Sequence, residues 1–277
     1  MAYIYLDTCH IQKIKGNEYS DLRELLRSGI LTLVFSQFNL LEMIARTDRT
    51  NCLDVANSIA SYNKVYLNDK RTLFKYDIFK SRSDKTNLNP FSDDFRGLIS
   101  FRSLETFIKS DVLNKNFSNA IMTCYDLDDN ERFVSTEDAN FYSKKNKLKN
   151  CIKQKQQRNR IIFSSINSKF LEYAESNRVT LTSEEKKKLS VLSPSFLIPY
   201  VIQLQLLISK GDKLLANDLI DANHCCALPY VDVMVLDNGA MDRCNKALSL
   251  IKQQYNKTFT IKIASDVSNI TKIIEGT

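Results

Sequence analysis

Val231-Asp232-Val233-Met234-Val235-Leu236-Asp237 reads as a buried strand that stops at an aspartate. Tyr5-Leu6-Asp7-Thr8-Cys9, at the other end of the chain, follows the same pattern. In an open α/β sheet the ligand crevice lies outside the carboxyl ends of the strands. Aspartates at two such ends meet on one rim and repel. A divalent cation is the simplest relief. The first expectation is therefore an α/β sheet carrying a metal-dependent hydrolytic site.

The segments next to these two strands alternate strand and helix. Ala2 to Leu6 is a short buried strand, and Leu31 to Phe35 is a second. Ser36 caps a helix running to about Arg46. Another helix spans Cys52 to Ser61, and Val65-Tyr66-Leu67 forms a third strand. From about 69 to 213 the strand pattern gives way to polar helical patterns. One long helix is expected over 136–176, another from Ser193-Pro194 to about Ser209, and a loop between Ser81 and Asp94. The α/β pattern then returns. Asn217 or Asp218 caps a helix that ends before Pro229, the strand 231–236 follows, then a helix from Met241 to Gln253 and a strand from Phe259 to Ala264. The expected fold is a three-layer α/β/α core with a mainly parallel sheet, built from 1–68 and 214–277. A large all-helical insertion occupies 69–213.

Composition narrows the class. The 277 residues include only 6 Gly and 4 Pro, which disfavours a turn-rich β-sandwich. The longest apolar run, Phe196 to Ile208, is broken by Pro199, Gln203 and Gln205 and falls short of the ~20 residues a bilayer needs. The N-terminus opens directly on a strand with no basic-then-apolar signal. The 7 Cys form no CxxC pair and fit free thiols in a reducing compartment. The expectation is a soluble, cytoplasmic protein with no membrane association.

The net charge is +7, and its distribution is uneven. Lys144, Lys145, Lys147, Lys149, Lys153, Lys155, Arg158 and Arg160 follow one another with no acid between them. Such a run is often only a solvated face. Here like charges repel along a helix, and a phosphate backbone would relieve them. Nucleic acid is the expected partner of segment 144–160. The helical insertion also offers a surface for a protein partner or a second copy.

Further carboxylates can reach the rim. Glu42 lies on the helix capped by Ser36. Asp218 and Asp221 share a helix face, which His224 extends. Asp7, Glu42, Asp221 and Asp237 are the candidate ligands and catalytic residues. An oxygen-rich set of this kind suits Mg²⁺ or Mn²⁺. Asp218, Asp232, His224 and Ser36 are expected behind them, tuning or orienting the ligands. Plainer roles exist for each. Asp7 and Asp218 suit N-caps, Asp237 suits a turn with Asn238-Gly239, and Glu42 suits a solvated helix position. Asp232 suits a strand start, and His224 suits a core histidine.

The order of these elements resembles a PIN domain, a family of metal-dependent ribonucleases. Tyr5-Leu6-Asp7-Thr8 resembles its opening motif, and Phe35-Ser36-Gln37-Phe38-Asn39-Leu40-Leu41-Glu42 its second. Asp218-Leu219-Ile220-Asp221-Ala222-Asn223-His224 and Pro229-Tyr230-Val231-Asp232-Val233 resemble its C-terminal block, in the form seen in larger bacterial members. The resemblance covers roughly 1–65 and 215–277. Leu236 stands where the family usually has Thr or Ser before the last aspartate. The resemblance implies an endoribonuclease using Mg²⁺ or Mn²⁺ at Asp7, Glu42, Asp221 and Asp237. The alternatives are a DNA-directed nuclease of a defence system and a catalytically silent PIN-like scaffold.

Overall fold

The computed structural model describes residues 2–46, 48–82, 87–95, 117–131, 158–188, 193–210, 216–268, 270 and 274. Its centre is a six-stranded sheet. In chain order the strands are β1 (Ala2–Leu6), β2 (Leu31–Phe35), β3 (Lys64–Leu67), β4 (Phe91–Ser92), β5 (Val233–Val235) and β6 (Lys262–Ala264). They lie side by side as β4-β3-β2-β1-β5-β6. All neighbours are parallel except β3 and β4, which are antiparallel. Thus β1, from the N-terminus, is flanked by β2 and by β5, which comes from the far end of the chain. Leu6 lies opposite Val235.

The central strands β1, β2 and β5 are almost wholly apolar because both faces are covered. Their two-residue period sorts the side chains onto opposite faces. Ile4, Leu6, Leu33, Phe35, Val233 and Val235 pack into one core. That core includes Leu22 and Leu26 of α2 (Ser20–Arg27), Met43 of α3 (Gln37–Arg46), Val55 and Ile59 of α4 (Arg49–Ala60) and Ile121 of α6 (Phe117–Glu131). Tyr5, Val34, Met234 and Leu236 face the other way. They meet Val201 and Leu204 of α9 (Pro194–Lys210), Ala222 of α10 (Ala216–His224) and Cys244 and Ile251 of α11 (Asn238–Tyr255).

Three features differ from the sequence reading. Helix α9 lies within 69–213, yet it packs directly on the sheet. Its apolar run is wide enough to cover a strand layer, so part of the insertion completes the core. The insertion also contributes β4, in the stretch read as loop. Asn68 N–H donates to the Pro90 carbonyl at 2.9 Å and brings this segment alongside β3. Helix α10 begins at Ala216, so Asp218 sits in its first turn rather than capping it. The long helix expected over 136–176 is seen from Arg158 to Ser176, as α7, followed by the short α8 (Ser183–Lys188), and its proposed first part lies outside the described residues. No helix among the described residues is long and apolar enough to cross a membrane.

α5 (Lys70–Ser81) and α9 are tied to the chain's C-terminal part by one buried carboxylate. Asp77 accepts hydrogen bonds from Ser193 Oγ (2.9 Å), Ser195 Oγ (2.7 Å), Ser195 N–H (3.1 Å) and Tyr230 Oη (2.7 Å). The serines open α9, whose first N–H groups need acceptors. Tyr230 ends the 3₁₀ turn Cys225–Tyr230 that leads from α10 towards β5.

Candidate metal centre

The sheet ladders continue past the strands and set the rim. Asp7 N–H donates to the Val235 carbonyl at 2.9 Å, and Leu236 N–H donates to the Ala264 carbonyl at 3.0 Å. Asp7 and Asp237 therefore leave the C-terminal ends of adjacent parallel strands. The Cys9 thiol, pushed up to about 12 first by burial and then by the charges of Asp7 and Asp237, feels both carboxylates.

Asp7 and Asp237 each cap a helix as well. Asp7 accepts the Thr8 N–H at 2.5 Å at the start of α1 (Thr8–Gln12). Asp237 accepts the Ala240 N–H at 2.7 Å at the start of α11. Capping uses some lone pairs of a carboxylate and leaves others for a ligand. The plain and the functional roles therefore coexist.

Glu42 is aimed by the first turn of α3. Ser36 Oγ accepts the N–H groups of Phe38 (3.2 Å) and Asn39 (3.3 Å), and Ser36 N–H donates to Asn39 Oδ1 (2.9 Å). This is a reciprocal capping box, with Asn in place of the usual Glu or Gln. Asn39 Nδ2 donates to the Leu6 carbonyl at 3.0 Å, which fixes α3 against the end of β1.

His224 is the centre of the site. It is 1 % exposed, as is Glu42, and Asp7 is 6 % exposed. His224 Nε2 lies 2.8 Å from Glu42 Oε2 and 3.8 Å from Asp7 Oδ1. Among the described residues, Asp7, Glu42 and His224 form a group whose ligand atoms all lie within 4.8 Å of one another. Burial pulls the His224 imidazole down. The Glu42 hydrogen bond and the charges of Glu42, Asp7 and Asp221 outweigh it, and the net direction is up.

The other ring nitrogen is held from behind. His224 Nδ1 is bonded to Tyr5 Oη, which lies 2.7 Å from Ser36 Oγ. Ser36 Oγ donates in turn to Asn39 Oδ1 at 3.1 Å. Burial pushes the Tyr5 phenol well above its ordinary range, so it stays a neutral O–H. With Nδ1 donating to Tyr5 and Tyr5 donating to Ser36, the imidazole keeps Nε2 facing the two carboxylates. Two oxygen donors and one imidazole nitrogen, already gathered and oriented, suit Mn²⁺ better than Mg²⁺.

The remaining expected residues are placed as follows. Asp221 is about one-fifth exposed and pairs with Arg243 of α11, Nη2 to Oδ2 at 3.4 Å. Asp221 and Asp237 share the rim without joining the three-residue group. Asp218 pairs with Lys210. Ser36 stands behind His224 through Tyr5. Asp232 is a correction: it is exposed, at the opposite end of β5, and its Oδ2 accepts the Tyr3 N–H at 2.7 Å. Five residue steps of extended chain lead from it to Asp237, about 16 Å. Lys144, Lys145, Lys147, Lys149, Lys153 and Lys155 lie outside the described residues, and Arg158 and Arg160 open α7.

Tyr5, Asn39 and Arg243 gain their roles only from the fold. Asn39 at the third helical position after Ser36 was the available signal for the capping box. Gly239 and Arg243, four apart on one helix, were the signal for a basic side chain lying over its own helix start. Comparison with family models, curated proteins and solved structures returned no match. What fold and site define is a class: an α/β protein with a mostly parallel sheet and a buried carboxylate–imidazole cluster at its C-terminal rim.

Proposed function

We propose that the chain is a metal-dependent phosphodiesterase of PIN-like type, acting on nucleic acid and on RNA before DNA. The observation that carries this reading is the convergence of Asp7, Glu42 and His224. They come from three elements far apart in sequence, are buried together, and lie on the rim where open α/β sheets bind ligands. Asp7 Oδ1, Glu42 Oε2 and His224 Nε2 would hold Mn²⁺ or Mg²⁺. When bound, such a cation makes a water easier to ionise and offsets charge on the scissile phosphate. The Tyr5–Ser36–Asn39 chain keeps the imidazole oriented. Asp221 and Asp237 extend the negative rim outward. The basic run 144–160 would hold the flanking phosphates without reading sequence.

A scaffold reading rests on a different observation. His224, with its pKa raised, can neutralise Glu42 as an imidazolium, so the cluster also has a purely internal balance. A cleavage panel separates the readings. Single- and double-stranded RNA and DNA are incubated with Mn²⁺, Mg²⁺ or EDTA. The expected outcome is Mn²⁺-supported cleavage of RNA that disappears in EDTA and in Asp7→Asn, whose circular dichroism stays that of the wild type. Cleavage retained by a purified Asp7→Asn chain would refute the assignment. Preferred cleavage of DNA would move it to the defence-nuclease reading.

A further inference from the structure

We propose that Arg243 is a built-in second cation, so that the rim binds one metal ion and not two. The inference rests on the phosphodiesterase reading and concerns the outer half of the same site. Asp221 and Asp237 are acids that two-metal sites would use to hold a further ion beside the first. The outer half already contains a positive charge. Arg243 Nη2 lies 3.4 Å from Asp221 Oδ2. A Cβ placed on Gly239 would sit 3.1 Å from Arg243 Nη1 and 3.1 Å from Asp237 Oδ1. The guanidinium and the Asp237 carboxylate are therefore no more than twice that distance apart, on either side of the space that Gly239 leaves open.

The guanidinium thus touches the Asp221 carboxylate and lies within about 6 Å of the Asp237 carboxylate. Unlike a metal ion it cannot dissociate, and unlike a histidine it does not lose its charge at working pH. Gly239 is part of the arrangement, because a side chain there would intrude on Asp237 and Arg243 together. Arg243 is about one-quarter exposed, so its planar fork, with five N–H donors, also presents a face to solvent. A phosphate oxygen of the substrate is the natural partner for that face. Asp221 and Asp237 then serve as positioning residues for Arg243, while Asp7, Glu42 and His224 take the ion.

The test counts Mn²⁺ ions per full-length chain by titration calorimetry, with free Mn²⁺ followed in parallel by electron paramagnetic resonance. Wild type is expected to bind one ion. Arg243→Met removes the charge and keeps most of the stem; it is expected to bind two ions, or the first at least tenfold more tightly. Arg243→Lys restores a cation and is expected to return both values towards wild type, which a packing role alone would not do. Should Arg243→Met fold poorly, Arg243→Gln is the second variant, removing the charge with a polar side chain and shifting Mn²⁺ affinity in the same direction. Two ions in the wild type, or one ion with unchanged affinity in Arg243→Met or, where that variant fails to fold, in Arg243→Gln, overturns the inference and leaves the phosphodiesterase reading standing. No ion bound to a folded wild-type chain overturns that reading itself.

Discussion

Two places in this molecule bury carboxylates, and they do so in opposite ways. Asp77 lies among neutral donors: two serine hydroxyls, one backbone N–H and one tyrosine. Asp7 and Glu42 lie against one imidazole that both must share. In the first place every donor belongs to the protein and one charge is satisfied locally. In the second, two carboxylates and one imidazole nitrogen converge on one small volume, a donor set that could also hold a cation. A buried carboxylate with its own set of donors is a structural knot. A buried pair with a pre-oriented imidazole is a candidate site.

Breaking the knot gives the largest expected effect. Asp77→Ala leaves the Ser195 N–H and the Tyr230 hydroxyl without their acceptor inside the protein. It is expected to cost about 2–3 kcal/mol in urea unfolding. Mn²⁺ affinity should be unchanged, because Asp77 takes no part in the rim. Burial raises the Asp77 carboxyl above its ordinary value of 3.8, against the pull of its hydroxyl donors. A group raised in the fold adds stability that is full below its unfolded value and lost as pH rises through its folded value. Stability should therefore decline from about pH 4 upward, and Asp77→Asn should flatten that limb. A tightened or weakened Mn²⁺ affinity in Asp77→Ala would break the separation between the two places.

The rim cluster sharpens the comparison at a higher pH. His224 is raised from its ordinary value of 6.5, so its contribution is complete below that pH and is lost as pH rises through the folded value. In EDTA the urea midpoint is expected to fall from about pH 6.5 upward. In His224→Gln that slope should vanish, at a cost of about 1.5 kcal/mol near pH 6. In saturating Mn²⁺ the slope should shrink, because a metal needs the neutral imidazole and binds better as pH rises. A midpoint independent of pH between 6 and 9 in EDTA would show that His224 is not the counter-ion of Glu42.

The smallest effect is expected at Asp232. Its exposed bond to the Tyr3 N–H lies at the far end of β5. Asp232→Asn should change stability by about 0.5 kcal/mol or less and leave Mn²⁺ binding as it was. Reduced metal affinity in this variant would mean that the two ends of β5 communicate.

How far the site was legible differs residue by residue. Asp7 and Asp237 stood out because each ends an apolar run, and such runs mark parallel strands. Their shared rim then follows from strand direction alone. Glu42 was legible through the Ser36 cap. His224 was recognised as a neighbour of Asp221 but not as the central group. Residues three apart on a helix point some 60° from one another, so a modest roll of α10 decides which of the two faces Glu42. That roll is set by packing against α3, α9 and the sheet, and no local pattern encodes it. The place of α9 in the core was hidden for a similar reason. Its apolar surface is plain in the sequence, but the layer it covers depends on where the chain returns.

The sequence by itself determined the alternation of strands and helices, the burial of the strands on both faces, and the presence of aspartates at their carboxyl ends. These are local matters of period, propensity and capping. Only packing between distant elements brings Glu42 and His224 to Asp7, sets Arg243 against Asp221 and turns Asp232 away. Those outcomes depend on distances between elements up to 229 residues apart, and packing sets them when the core closes.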